Sequence, residues 1–245
     1  MRKFGLIGRN ISYSFSQNYF SQKFASEGIT DAFYENFDIP NIEAVTTIFK
    51  NKEILGLNVT IPYKETIIPY LDKVHKKALK IGAINTIKRN KKGKLIGYNT
   101  DYYGFKKSIK PALKPIHKHA LILGTGGASK AIAFTLKELG ISYKFVSRTP
   151  ENSTYLTYNE LTPSIISEFL IIINCTPLGT FPNITDAPKI PYGFLTKDHI
   201  LFDLIYNPEE TQFLKEGRLK NAATINGLEM LKWQAEKAWR IWNKY

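Results

Sequence analysis

Two stretches of this sequence carry residue types that could move protons. GLNVTIPYK, residues 56 to 64, alternates Asn58 and Thr60 with Leu57, Val59 and Ile61, stops at Pro62 and places Lys64 just beyond. Period-two alternation gives one apolar face for a core and one hydrogen-bonding face that must meet water or a ligand. Proline ends the strand and favours the first turn of a following helix. The second stretch, GYNTD, ends at Asp101, where an alternating strand breaks into the helical pattern YYGFKKSI. A lysine near the positive end of a helix is disfavoured as a cation unless a carboxylate compensates. Lys64 and Asp101 together could therefore form a proton-transfer pair. By themselves the two residues fit a surface lysine and a helix-capping aspartate better.

A third stretch could hold a phosphate. In HALILGTGGASKAIAFTLKELG, Gly124, Gly126 and Gly127 follow a strand and open a helix. That arrangement allows a tight turn, close approach of backbone amides to a pyrophosphate, and a helix N-terminus pointed at it. Ser129 stands where the third fingerprint glycine or alanine would sit. The next strand ends at Ser147, twenty residues past Gly127, where an NAD enzyme presents an acid to the ribose hydroxyls. Here Ser147, Arg148 and Thr149 offer an arginine and two hydroxyls with no carboxylate, which suits a 2′-phosphate and favours NADP. The plain alternative is an α/β turn with an exposed arginine.

These residues need positioning elements, and the chain supplies two textures. Its first hundred residues alternate short strands (KFGLIG, AFYENFDI, ILGLNVTI, AINTIKR, KLIGYNT) with helical patterns such as FSQNYFSQKFASEG, an α/β unit. From HALILG onward the pattern is that of a βαβ nucleotide-binding unit. The end, GLEMLKWQAEKAWRIWNKY, reads as an amphipathic helix whose tryptophans anchor a core.

Composition bounds the answer. At 245 residues and 43% hydrophobic content the chain is globular, with one large core or two modest ones. It shows neither a signal-peptide apolar run nor a window of membrane-spanning length, so we expect a cytoplasmic protein. The net charge of +13 is concentrated: residues 71 to 119 hold fourteen Lys or Arg against Asp72 and Asp101 alone. Most of these basic residues lie on a solvated helix, DKVHKKALK, and around a hairpin turn, NKKG, without interleaved aromatics for base stacking. We therefore expect no nucleic-acid partner, and a surface that attracts small anions. Cys175 reads as a packing residue in an apolar strand. His117 and His119 share a strand face without further ligands at suitable spacing, so no metal is expected.

Taken in order, SYSFS, GLNVTIPYK, GAINT, GYNTD, GTGGAS, SRT, INCTPLGT, DLIYNP and NGLEMLKWQA give the chain a resemblance to the shikimate dehydrogenases over its whole length. The resemblance implies an α/β substrate-binding domain, residues 1–101 with 226–245, a Rossmann-type NADP-binding domain, 102–225, and a deep cleft between them. It implies reversible reduction of 3-dehydroshikimate to shikimate with NADPH, in chorismate and aromatic amino acid biosynthesis, by a monomer or homodimer. Lys64 and Asp101 would be catalytic. Ser14 and Ser16, two hydroxyls on one strand-like face, would hold the substrate carboxylate; Asn58, Thr60 and Asn85 would bind the ring hydroxyls, and Tyr206 and Gln234 would close the site. Gly124, Gly126, Gly127, Ala128, Ser129, Ser147, Arg148, Thr149, Thr176, Leu178 and Gly227 would contact NADP.

The sequence also departs from that family's pattern. Gln17 replaces the usual proline after the second serine, and Ser12 with Tyr13 replaces a common Gly-His pair. Asn152 stands where a second basic residue often supports the 2′-phosphate. PENSTYLTYNELTPSIISEF is too short and too rich in turn and β-branched residues for a full crossover helix, so we expect that crossover to be shortened. Two other readings of the same fold remain: an NAD-using quinate/shikimate dehydrogenase, and a non-catalytic metabolite sensor.

Overall fold

The structure is a computed structural model that describes residues 1–12, 14–149 and 155–244; Tyr13 and Asn152 lie outside the described residues. The chain divides into two compact units, Met1–Thr100 with Gln234–Tyr245, and Asp101–Trp233.

The first unit runs β1 (Arg2–Gly8), α1 (Phe15–Ser26), β2 (Ala32–Asp38), α2 (Val45–Lys50), β3 (Ile54–Val59), β4 (Lys73–Val74), α3 (Lys76–Ile81), β5 (Thr86–Arg89) and β6 (Leu95–Tyr98). Among the described residues its sheet has the order β2-β1-β3-β5-β6-β4. β2, β1 and β3 are parallel, β5 is antiparallel to β3 and β6, and β4 is parallel to β6. The β5–β6 connection is the expected hairpin, closed by Gly93 N–H donating to the Asn90 carbonyl. DKVHKKALK forms a two-residue strand and then α3, which His75 caps at its start and Gly82, at φ 76°, at its end.

Alternation along the strands sorts the core into two layers. Ile7, Leu57, Val59 and Ile87 face one side. Phe4, Leu6 and Tyr34 face the other, against Phe20 and Phe24 of α1 and Ala235, Ala238 and Trp242 of the last helix, α8 (Leu228–Asn243). Trp239 and Trp242 join this core, as expected, whereas Trp233 packs edge-on against Tyr103 outside the core clusters. Trp242 packs its indole where a side chain at Gly56 would be and donates Nε1–H to the Ile87 carbonyl at 2.9 Å.

The second unit runs α4 (Asp101–Ile109), β7 (His119–Leu123), α5 (Gly127–Glu138), β8 (Ser142–Val146), α6 (Pro163–Glu168), β9 (Ile171–Asn174), β10 (Ile200–Asp203), α7 (Gln212–Leu219) and β11 (Ala223–Ile225). Its sheet is wholly parallel in the order β11-β10-β9-β7-β8. Residues alternate between two buried layers, Leu121, Leu123, Ile172 and Leu201 on one face and Ala120, Ile122, Ile171, Ile173 and Phe202 on the other. Burial on both faces is what a parallel sheet covered by crossover helices requires.

The crossover from β8 to β9 is short, as expected. A 3-10 turn (Tyr158–Glu160) and the six-residue α6 replace a full helix. Among the described residues, one parallel bridge, Val146 with Leu156, stands where the third strand of a dinucleotide-binding sheet would pair with β8. Among the described residues no helix is long and apolar enough to cross a membrane.

Candidate active site

The polar face of β3 continues across its neighbours. Register places Asn36, Leu6, Asn58, Thr86 and Tyr98 side by side on β2, β1, β3, β5 and β6. Asn58 Nδ2 donates to the Asn85 carbonyl at 3.2 Å and to Thr86 Oγ1 at 3.3 Å. Asn85, only 3% exposed, accepts at Oδ1 from the Thr100 amide at 2.6 Å and from Thr86 Oγ1 at 3.1 Å. Its Nδ2 donates to Thr100 Oγ1 at 3.0 Å and to Gln234 Oε1 at 3.1 Å. Asn58, Asn85 and Gln234, marked out by the sequence, thus belong to one hydrogen-bonded array, with Thr86 and Thr100 as members that sequence reasoning passed over.

Lys64 is held by its backbone. Its carbonyl accepts from Ile84 N–H at 2.6 Å, pinning the 61–67 segment to the residue that precedes Asn85. The expectation of a helix starting after Pro62 is corrected: residues 61–67 form successive turns, followed by a 3-10 turn over Ile68–Tyr70. The β-branched run Thr66, Ile67, Ile68 and then Pro69 disfavour a longer helix. Lys64 therefore does not sit at a helix N-terminus, and the dipole argument for tuning its charge does not apply. Thr60 is fixed by its amide, which donates to the Ile7 carbonyl at 2.9 Å.

The serine pair also differs from expectation. Ser14 and Ser16 do not lie on a strand-like face: Ser14 is the N-cap of α1 and Ser16 lies in its first turn, with Ser14 Oγ accepting from the Ser16 amide at 3.1 Å. A serine ahead of a helical pattern is a capping signal, and it outweighs the strand reading. One face of β2 holds this loop. Asp38 accepts from the Asn10 and Ile11 amides at 3.0 and 3.2 Å, and Asn36 Nδ2 donates to the Ile11 carbonyl at 3.2 Å and to Gln17 Oε1 at 2.9 Å. Gln17, the departure from proline, is thereby given a partner. The alternation in AFYENFDI was the available signal for these residues.

In the second unit, Gly124 has φ 98°, a conformation that L side chains rarely adopt, and its α-carbon faces Thr176: a Cβ there would lie 3.1 Å from Thr176 Cγ2. Gly124 donates its amide to the Val146 carbonyl, and Cys175 donates to the Leu123 carbonyl, both at 2.9 Å. The loops after β7 and β9 thus lie together at the point where strand order reverses, the usual ligand position in such sheets. Gly126 caps α5, Gly127 and Ala128 begin it, and Ser129, fully buried, donates Oγ–H to the Gly126 carbonyl at 2.6 Å. Ser129 serves the turn rather than facing outward.

At the end of β8, Ser147 Oγ accepts from the Thr149 amide at 3.2 Å, and Arg148 and Thr149 are exposed. After β9, Thr176 donates to Asn174 Oδ1 at 2.6 Å and accepts at Oγ1 from the Leu178 amide at 3.3 Å. Asn174 in turn donates to Asp203 Oδ1 at 3.1 Å, and Asp203 also accepts from Thr211 at 2.6 Å and from the Ile205 amide at 3.0 Å. Burial pushes the Asp203 carboxyl up to about 6 despite these donors. Gly227 donates to the Ile205 carbonyl at 2.9 Å and leaves no room for a side chain against the Leu204 carbonyl, two residues before Tyr206. Asp101 is the first residue of α4, buried, where a helix N-terminus favours a carboxylate. Lys64 belongs to the first unit and Asp101 to the second.

Other expectations resolve plainly. Cys175 lies one residue beyond β9 rather than within it, and burial pushes its thiol up. His117 precedes β7 and does not share a strand face with His119. Its Nδ1 accepts from the Lys114 amide at 2.8 Å and its Nε2 pairs with the Asp198 carbonyl at 2.9 Å, so both ring nitrogens serve the fold.

Comparison with known proteins converges on one family. The profile described as "Shikimate dehydrogenase substrate binding domain" matches residues 6–87. A shikimate dehydrogenase (NADP(+)) of Methanococcus vannielii is 39% identical, covering 98% of this chain and 91% of its own. A shikimate dehydrogenase crystallised in complex with NADP+ superposes with TM-score 0.90 at 36% identity, covering 99% of this chain and 90% of its own. The Thermus thermophilus shikimate 5-dehydrogenase in complex with shikimate gives TM-score 0.86 at 31% identity, covering 99% and 93%. With a hydrogen-bonded polar floor in one unit, a glycine loop at the switch point of the other, and this likeness along nearly its whole length, the chain belongs to the shikimate dehydrogenase family.

Proposed function

We propose that this chain is an NADP-dependent shikimate dehydrogenase that interconverts shikimate and 3-dehydroshikimate in aromatic amino acid biosynthesis. The observation that carries this reading is the array of buried Asn85, Thr86 and Thr100 with half-buried Asn58 and Gln234, polar side chains held by one another in the unit where the backbone of Lys64 is pinned. A ring bearing several hydroxyls is the ligand such a surface suits, because each remaining donor or acceptor has a fixed direction. Ser14 and Ser16 take the carboxylate, and Asn58, Thr60 and Asn85 take ring hydroxyls. Lys64 removes the proton from the C3 hydroxyl as it becomes a carbonyl, and in the reverse direction returns it to the forming alkoxide. Asp101 orients the lysine and accepts a ring hydroxyl, while Tyr206 and Gln234 cover the substrate.

The glycine loop fits a dinucleotide. Gly124 at φ 98° turns the chain so that the N-terminus of α5, which no side chain caps, presents amides to a pyrophosphate, with Thr176, Leu178 and Gly227 beside the cofactor. Exposed Arg148 between Ser147 and Thr149 fits a 2′-phosphate. Bound there, NADP supplies the hydride acceptor and NADPH the donor. The first unit is thus the substrate domain and the second the cofactor domain of a cytoplasmic enzyme, monomeric or homodimeric, acting on small molecules. The test is nicotinamide absorbance with shikimate or quinate against NADP or NAD. Shikimate with NADP should be the best pair. Quinate with NAD as the best pair would replace this reading with a quinate dehydrogenase, and binding without turnover would replace it with a sensor.

A further inference from the structure

Tyr34 has no part in the mechanism above, yet it bonds one of the residues placed on the substrate. It lies on β2, 2% exposed, its ring stacked on Phe20 at a centroid distance of 4.6 Å and a 17° interplanar angle. Its hydroxyl donates to Asn58 Oδ1 at 2.9 Å. A phenol has one hydrogen, and here it is spent on Asn58. Asn58 is then fully oriented, because its two N–H groups are committed to the Asn85 carbonyl and Thr86 Oγ1.

We propose that Tyr34 is a positioning residue whose buried hydroxyl fixes Asn58 as a hydrogen-bond acceptor toward the ring. The inference rests on the reading that Asn58 contacts shikimate. It adds a specificity rule. With both amide hydrogens spent, Asn58 offers a ligand only the second lone pair of Oδ1, so it selects a ring hydroxyl that donates and rejects a group that can only accept.

The test compares shikimate with analogues in which the 4- or 5-hydroxyl is replaced by fluorine, using wild type and Tyr34→Phe. Wild type should bind one of the two fluorinated analogues about tenfold or more weakly than shikimate, because a fluorine cannot donate to Asn58. Tyr34→Phe keeps the stacked ring and removes the hydroxyl. Its KM for shikimate should rise about tenfold with kcat changed little, and its preference for the hydroxyl over fluorine should shrink. A lower melting temperature with unchanged KM and unchanged preference would reduce Tyr34 to packing and overturn the proposal. If Tyr34→Phe does not fold, wild type alone decides: equal affinity for shikimate and both analogues would overturn the acceptor rule. Absence of shikimate turnover in wild type would instead overturn the functional reading itself.

Discussion

The two units concentrate hydrogen-bonding capacity in different materials. In the first it resides in side chains, with Asn85, 3% exposed, bonded to Thr86, Thr100 and Gln234. In the second, around the glycine loop, it resides in backbone, where Gly124 at φ 98° and the start of α5 leave amides unclaimed by side chains. The difference teaches what each unit can tolerate. A side-chain array fails when an isosteric residue loses a donor or acceptor, whereas a backbone cradle fails when a residue gains a Cβ.

The largest expected effect falls on Lys64, the residue proposed to move the proton. Lys64→Ala should lower kcat about 10²- to 10⁴-fold while KM for shikimate changes far less, in steady-state kinetics. A comparable rise in KM with kcat preserved would make Lys64 a binding residue.

The second unit contains its own side-chain exception, Asp203. Its folded carboxyl, at about 6, lies above its ordinary value of 3.8. Its stabilising contribution is therefore fully present below about pH 4 and lost as pH rises through about 6, a loss on the order of 3 kcal/mol. Denaturant midpoints should show wild type losing that increment relative to Asp203→Asn between pH 4 and 7. Parallel curves would mean the carboxylate is better compensated than its three donors indicate.

Asn85→Leu separates the units directly. It matches volume but leaves the Thr100 amide and neighbouring hydroxyls without their acceptor, at a cost of about 2–3 kcal/mol in urea unfolding. Gly124→Ala should leave stability nearer wild type, because only roughly 1–2 kcal/mol of left-handed strain and one contact with Thr176 arise. It should raise KM for NADP about tenfold without moving KM for shikimate. If Asn85→Leu proved the milder in stability, the contrast between the units would fail. The smallest effect is at the rim: Arg148→Ala should reduce the ratio of kcat/KM for NADP to that for NAD by about tenfold, through loss of a charge-assisted bond to the 2′-phosphate.

Much of this organisation was legible in the chain. Alternation in GLNVTI and the run HALILG into GTGGAS located the polar floor and the glycine loop, because both signals are local in sequence and match the periods of strand and helix. What escaped depended on partners distant in sequence. Tyr34, Asn36 and Asp38 read only as a strand, since nothing local says that their shared face will hold the loop from Asn10 to Gln17. Ser14 and Ser16 were visible as a pair, but the capping geometry of Ser14 was not weighed against a strand-like loop. Pro62 promised a helix that Pro69 and the β-branched run before it disallow. The shortened crossover was readable from its composition, whereas the survival of one bridge at Leu156 was not, because a single backbone pairing leaves no periodic trace.

The most direct test of the central claim is NADP reduction by shikimate, followed at the nicotinamide absorbance band for wild type and Lys64→Ala side by side. Turnover in wild type that falls by orders of magnitude in the variant, with shikimate still bound, is the expected result. Equal rates in the two proteins, or none in wild type despite binding of both shikimate and NADP, would contradict it.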